Sequence, residues 1–320
     1  MSDGGLQPGD PARVGRYSLL RRLGVGGMGN VYRAYDPELD RQIALKLVTK
    51  RGDDDLDTPL RLVREARAMA KISHPNVAAV YDVGIIGRVV YIAMELLEGP
   101  TLSRWTQDTP RPWTEVLNMY LQAARGLAAA HDAGLVHRDF KPDNVMLGAD
   151  ERPRVLDFGL ARPAPLDGDD QLLSDAEPVF ISEVEPDAPL RPRPRQPSGS
   201  FDLGLSVTQH GLISGTPAYM APEQHLGQDG GPAADQFAFC VALWEALFRT
   251  RPFEGSTYFE ISDAIIEGRR RPVPAQSRVP AWLCAILDRG LAPDPRARHP
   301  SMRALMASAV FTIKIIHGLT

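Results

Sequence analysis

His137-Arg138-Asp139-Phe140-Lys141-Pro142-Asp143-Asn144 is the stretch from which the rest of this chain is read. It supplies a carboxylate able to orient a hydroxyl, a lysine able to neutralise a transferring anionic group, and an asparagine whose carbonyl oxygen suits a hard cation. Downstream, Asp157-Phe158-Gly159 adds a second oxygen ligand. His137 is expected to brace this loop rather than to shuttle a proton. The remaining histidines, His74, His131, His210, His225, His299 and His317, show no ligand spacing, so no transition-metal site is expected.

Upstream lies Leu23-Gly24-Val25-Gly26-Gly27-Met28-Gly29-Asn30-Val31, with the spacing G-x-G-x-x-G. Glycines let a backbone lie close over phosphates without Cβ clashes. Dinucleotide-binding folds use a similar spacing, but follow the last glycine with a helix. Here Val31-Tyr32-Arg33-Ala34-Tyr35 has strand composition, so a strand–glycine–strand hairpin is expected. Lys46, one strand later, has apolar neighbours in Ile43-Ala44-Leu45-Lys46. A buried lysine needs an opposite charge, and Glu65 on the next helix has the register to supply it. The segment from Tyr91 to Gly99 reads, on its residues alone, as an edge strand followed by a turn.

In order and residue type these strings resemble the eukaryotic-like Ser/Thr protein kinase family, over about Tyr17 to Phe311. Gly26-Gly27-Met28-Gly29 and Gly215-Thr216-Pro217-Ala218-Tyr219-Met220-Ala221-Pro222-Glu223-Gln224 are most similar to its bacterial, Hanks-type members. The resemblance implies an α+β, two-lobed kinase fold: a small β-rich lobe with one main helix, and a larger, mostly helical lobe. It implies a non-specific serine/threonine protein kinase that moves the γ-phosphoryl group of ATP to Ser/Thr hydroxyls of protein substrates. ATP would be held by Leu23, Gly24, Val25, Gly26, Gly27, Met28, Gly29, Asn30 and Val31, by Lys46 paired with Glu65, and by backbone groups of Glu95 and Leu97. Met94 would guard the rear of the adenine pocket. Asp139 and Lys141 would be catalytic, and Asn144 and Asp157 would hold Mg2+, or Mn2+ in its place.

The same resemblance assigns supporting roles. Thr216 would help to seat the substrate near Asp139 and Lys141. Glu223 would pair with Arg298, and Asp235 would accept N–H groups of the catalytic loop. Arg138 would answer a phosphate on the activation segment, with Thr208 as its expected position, added in trans between two copies of the chain. Related bacterial kinases often carry a second threonine two positions on; His210 stands there instead, so control by two sites is not implied. Two other readings stand beside this one. A kinase-fold scaffold without catalysis commonly lacks one of Lys46, Asp139, Asn144 and Asp157, and all four are present. A small-molecule phosphotransferase would not need the 215–223 platform for a peptide.

Bulk properties agree with this frame. The chain has 320 residues, 43% hydrophobic and 24% charged, enough for two lobes around a cleft. A formal charge of −4 gives no reason to expect nucleic acid or a membrane surface as the main partner. No apolar run is long enough to span a bilayer, so a cytoplasmic location is expected, with membrane association only through a region absent from this chain. The two cysteines, Cys240 and Cys284, read as buried free thiols. Residues 1–14 read as a mobile leader, 15–99 as the small lobe and connection, 100–315 as the large lobe, and 316–320 as a tail. Strands are expected near 17–20, 31–35, 43–48, 77–83 and 89–95. Helices are expected near 58–72, 117–133, 233–248, 258–267, 281–291 and 301–315. Within the large lobe, 163–201 carries eight prolines, eight acidic residues and three arginines, the composition of a disordered insertion.

Overall fold

Residues 5–26, 29–49, 57–87, 89–158 and 216–316 are described by the computed structural model. The expected insertion at 163–201, Thr208, Gly27 and Met28 lie outside them. Six antiparallel strands form the first sheet: β1 (Arg13–Val14), β2 (Tyr17–Gly26), β3 (Gly29–Asp36), β4 (Arg41–Thr49), β5 (Val80–Ile86) and β6 (Val89–Met94), in spatial order β1-β2-β3-β4-β6-β5. The two-residue period of a strand sorts β4 onto two faces. Ile43, Leu45 and Leu47 join Tyr17, Leu19, Tyr32 and Ala34 in one apolar cluster. Ala44 and Val48 face the other way, into a cluster with Val63, Ala66 and Met69 of α1 (Asp57–Ala70). Lys46 shares that second parity, which directs it toward the same side as the helix.

Residues 13 and 14 pair with β2 through Arg13↔Ser18 and Val14↔Tyr17, and the Asp10 side chain is buried against the sheet. Pairing at residues 13 and 14 and the buried Asp10 carboxylate tie this stretch to the sheet. The strand expected over 77–83 begins at Val80, and Val77 instead bridges to Val155.

The rest is mostly helical: α2 (Leu102–Asp108), α3 (Trp113–Asp132), α4 (Pro222–His225), α5 (Pro232–Phe248), α6 (Tyr258–Ile266), α7 (Ala281–Gly290) and α8 (Met302–Ile316). Apolar residues surround α5, so it is buried along most of its length, with Phe237, Phe239 and Trp244 fully enclosed. Burying side chains of this size contributes roughly 1.5–3 kcal/mol each. Tyr120 of α3 meets Phe239 edge-on at 5.9 Å. Gly290 of α7 lies so close to α5 that a Cβ there would stand 2.2 Å from Cys240 Sγ. Both cysteines are free and buried, and burial pushes the Cys240 thiol up to about 12. One continuous apolar cluster joins α1, β6, α3 and α5, so sheet and helices share a core. Two short strands, β7 (Val145–Leu147) and β8 (Pro153–Val155), form a separate hairpin directly after the catalytic stretch.

Candidate active site

The β7–β8 hairpin sets the site. Val145 pairs with Val155, and the Leu156 N–H donates to the Asn144 carbonyl at 2.9 Å. Asn144 therefore enters the hairpin at the end where Asp157 leaves it. The bonds around Asn144 orient its side chain. Its Nδ2 donates to the Asp139 carbonyl at 2.8 Å and lies 3.3 Å from Asp139 Oδ2, which leaves Oδ1 as the acceptor end of the amide. Lys141 Nζ donates to Asp139 Oδ2 at 2.9 Å. Asp139, Lys141 and Asn144 thus form one hydrogen-bonded group.

A second group comes from the sheet. Lys46, 5% exposed, pairs through Nζ with Asp157 Oδ1 at 2.9 Å. The sequence reading gave Glu65 this part. Residue 65 lies on α1, but its side chain is not among those described. Among the described side chains, Lys46 pairs with Asp157, which follows the β7–β8 hairpin. Asp157 has φ +58° and Arg138 φ +64°, left-handed conformations that cost a residue with a Cβ about 1 kcal/mol or more. Surrounding bonds hold Arg138 in place.

Those bonds come mainly from Asp235, in the first turn of α5. Its Oδ2 accepts the His137 N–H and its Oδ1 the Arg138 N–H, both at 2.7 Å. His131 Nε2 lies 2.8 Å from the same Oδ2. His137 links the loop to the strand beyond it: Nε2 donates to the Leu156 carbonyl at 2.7 Å, and Nδ1 accepts the Asp139 N–H at 3.3 Å. Its ring packs on Phe158 at 4.8 Å and on Phe140 at 5.7 Å. His137 therefore touches both halves of the site through its ring and its two nitrogens.

Behind the loop, Arg298 and Glu223 make a bidentate pair at 2.8 and 2.7 Å, fully enclosed. The guanidinium also donates to the carbonyls of Ala292, Ala233 and Pro293, so its charge is well satisfied. Gln224 Nε2 donates to the Arg138 carbonyl at 3.0 Å, tying the end of the 215–224 string to the catalytic loop. Thr216 begins a 3-10 turn over Thr216–Tyr219; its side chain is not among those described.

Over the site, β2 and β3 pair up to Gly26↔Gly29, with Gly24 opposite Val31 and Val25 opposite Asn30. Gly29 has φ +144°, and a Cβ there would sit 2.0 Å from the Leu47 carbonyl oxygen, so only glycine fits. At the connection between lobes Met94 is buried, and the Glu95 N–H donates to the Ala79 carbonyl at 2.8 Å. Among the described residues, neither the Glu95 carbonyl nor the Leu97 N–H has a backbone hydrogen-bond partner. Both are available to a planar heterocycle.

Three contributors escaped the sequence reading. Arg154 Nε pairs with Glu95 at 2.9 Å and so ties β8 to the connection. Asp229 Oδ2 lies 3.6 Å from Arg138 Nη2, the contact documented for a side chain expected to meet a phosphate. Asp10 accepts hydrogen bonds from Arg22 of β2 and Tyr32 of β3. None stands in a spaced motif, and the pairing of Glu95 with Arg154 needed the β7–β8 hairpin, which was not foreseen.

Comparison with known proteins gives a consistent result. The protein kinase domain matches this chain over residues 17–174. Serine/threonine-protein kinase PknA of Mycobacterium tuberculosis (strain ATCC 25618 / H37Rv) is 32% identical over 293 residues, which cover 90% of this chain and 59% of that protein. PknD of Chlamydia pneumoniae is 32% identical over 309 residues, 91% of this chain and 30% of that protein. The serine/threonine-protein kinase pkn2 of Myxococcus xanthus is 34% identical over 253 residues, 78% of this chain and 26% of that protein. This chain spans between about a quarter and three fifths of the length of these relatives.

Proposed function

We infer that this chain, which belongs to the protein kinase family and within it to the bacterial serine/threonine type, transfers the γ-phosphoryl group of ATP to Ser/Thr hydroxyls of protein substrates. The observation that carries the reading is the meeting of two polar groups at the open end of the β7–β8 hairpin: Asp139 with Lys141 and Asn144, and Asp157 with Lys46. Five residues drawn from both lobes have no structural need to converge there.

Asp139 carries the orienting role. Its Oδ2 is engaged by Lys141 and Asn144, so Oδ1 is the oxygen left to accept a hydrogen bond from a substrate hydroxyl and aim it. Lys141, already beside that carboxylate, is placed to neutralise charge on the group in transit. Protein kinases generally use ATP with Mg2+. Asn144 Oδ1 and the Asp157 carboxylate are oxygen donors of the kind a hard cation takes, and would hold it. When bound, Mg2+ would offset negative charge on the phosphates. Lys46 would bind the α/β-phosphates, and the Glu95 carbonyl and Leu97 N–H would pair with the adenine edge. The 215–224 string, anchored by Glu223 to Arg298 and by Gln224 to Arg138, would receive the peptide. No observation favours a catalytically silent scaffold.

Incubation with radiolabelled ATP and a generic protein substrate tests this. Wild-type protein should label Ser and Thr. Asp139→Asn should lose about 100-fold or more of that rate while retaining nucleotide binding. Undiminished labelling by the variant would remove Asp139 from its role, and no labelling by the wild type would remove the activity. Thr208 is proposed as an autophosphorylation site acting through Arg138, in trans. Phosphopeptide mapping that finds Thr208 unmodified, together with full activity of Thr208→Ala, would end that part. Cytoplasmic action is proposed on the two free buried cysteines. Among the described residues, no helix is long and apolar enough to cross a membrane.

A further inference from the structure

We propose that Asp10 is a positioning residue for the nucleotide, acting by locking the last rung of the glycine-rich hairpin before its tip. The inference rests on the reading of that hairpin as the lid over ATP. Its starting point is a self-closed turn in the leader. Gly9 adopts φ +95°, the Asp10 N–H donates to the Gln7 carbonyl at 2.9 Å, and the Gln7 N–H donates to Asp10 Oδ2 at 2.8 Å. The turn thereby presents the other carboxylate oxygen to the sheet. Asp10 Oδ1 accepts from Tyr32 Oη at 2.7 Å and from Arg22 Nη2. Arg22 also reaches back to Gln7 Oε1 at 3.3 Å, and its guanidinium lies 5.7 Å from the centre of the Tyr32 ring.

Place in the hairpin gives this cluster its meaning. Arg22 and Tyr32 are opposite one another across β2 and β3, and the register shifts between Arg22 and Gly24. Beyond that irregularity only the tip remains, Gly24↔Val31 to Gly26↔Gly29. The shift is a natural pivot, because an extra residue in one strand breaks the ladder locally. Asp10 clamps both residues on the fixed side of it. Tyr32 Oη also accepts from Asn30 Nδ2 at 3.2 Å, so one hydroxyl connects the clamp to a residue of the tip itself.

The carboxylate is 2% exposed and anionic, a costly state without these partners. Burial alone would raise its pKa, yet bonds from Arg22, the Gln7 amide and Tyr32 hold it below the usual carboxylate range. Downstream, β1 fastens the leader to β2 only three residues later, so Asp10 cannot drift away with a loose end. A roof held at its pivot loses less freedom when phosphates bind beneath it.

The test is Mg-ATP binding and steady-state kinetics of the whole chain, comparing wild type with Asp10→Ala and Tyr32→Phe. Loss of one buried acceptor should raise both Kd and KM for ATP by about 3–10-fold, with kcat and the KM for peptide changed less than about twofold. Tyr32→Phe keeps the ring and removes only the hydroxyl, and should shift ATP affinity in the same direction by less. If Asp10→Ala does not fold, Tyr32→Phe decides. Variants that bind ATP within about twofold of wild type overturn the proposal, as does an equal fall in kcat and in affinity for both substrates. A wild type that binds no ATP overturns the lid reading itself, and this inference with it.

Discussion

The loop around Asp139 and the glycine-rich hairpin are fixed by different means. The loop hangs from Asp235, 1% exposed, and is backed by Arg298, also 1% exposed, whose charge is balanced by Glu223 and whose remaining N–H groups meet carbonyls. The hairpin carries Val25 at 70% exposure, and the charged group that pins it, Arg22, stays in part open to solvent. Charges removed from water must keep their partners, so the floor tolerates one arrangement only. Beyond the rung that Asp10 holds, the tip lies at the solvent edge, where contacts break and re-form at small cost. The roles proposed for Asp139, Asn144 and Asp157 would need fixed positions; that proposed for the hairpin, admitting and releasing a nucleotide, would not.

The most drastic way to break this contrast is Arg298→Leu, which leaves Glu223 buried without its counter-charge. Loss of about 3–5 kcal/mol is expected, measured by urea denaturation followed by fluorescence. A loss under about 1 kcal/mol would mean that the buried pair does not hold the floor. A smaller effect sharpens the picture of the roof. Gly29→Ala forces a Cβ against the Leu47 carbonyl in a backbone conformation that suits glycine, and should cost about 1–3 kcal/mol. Gly24→Ala, where an added Cβ meets nothing within 4 Å, should cost less than about 1 kcal/mol. Equal effects at the two glycines would contradict the geometry of the hairpin.

The smallest expected effect is a pH dependence. Burial holds His299 below its ordinary value, although Nε2 donates to the Ile286 carbonyl, and Arg289 adds to the depression. His74 is lowered as well, first by burial and then by Arg125 and Arg303. Both are neutral in the folded chain and take up a proton more readily when it unfolds. Their contribution is complete above the unfolded value, about 6.5, and is lost as pH falls below it toward the folded values. Melting temperature should therefore decline between pH 7 and pH 5. A flat profile in wild type, or an unchanged slope in the double variant His74→Gln/His299→Gln, would exclude these two histidines as the cause.

Much of this was legible in the residues themselves. Alternation in Ile43-Ala44-Leu45-Lys46-Leu47-Val48 gave β4 and placed its lysine, and the apolar run after Ala233 gave a buried helix. What escaped reading was short or remote. Strands β7 and β8 have three residues each, too few for any period to show, and α2 has only seven. Asp10 fell within the stretch read as a mobile leader because its partners, Arg22 and Tyr32, lie on strands whose register no local pattern sets. The Lys46–Asp157 pair is remote in the same way, its partners standing more than a hundred positions apart.

The Asp235 carboxylate has a consequence for how the chain comes into being. It fixes the amides of His137 and Arg138 from 98 and 97 positions downstream, and Arg298 closes on Glu223 later still. A nascent chain leaving the ribosome thus carries Lys46, Asp139, Lys141, Asn144 and Asp157 well before it owns the residue that holds the loop of Asp139 in place. A product truncated before the central helix would therefore carry these groups without the bonds that align them.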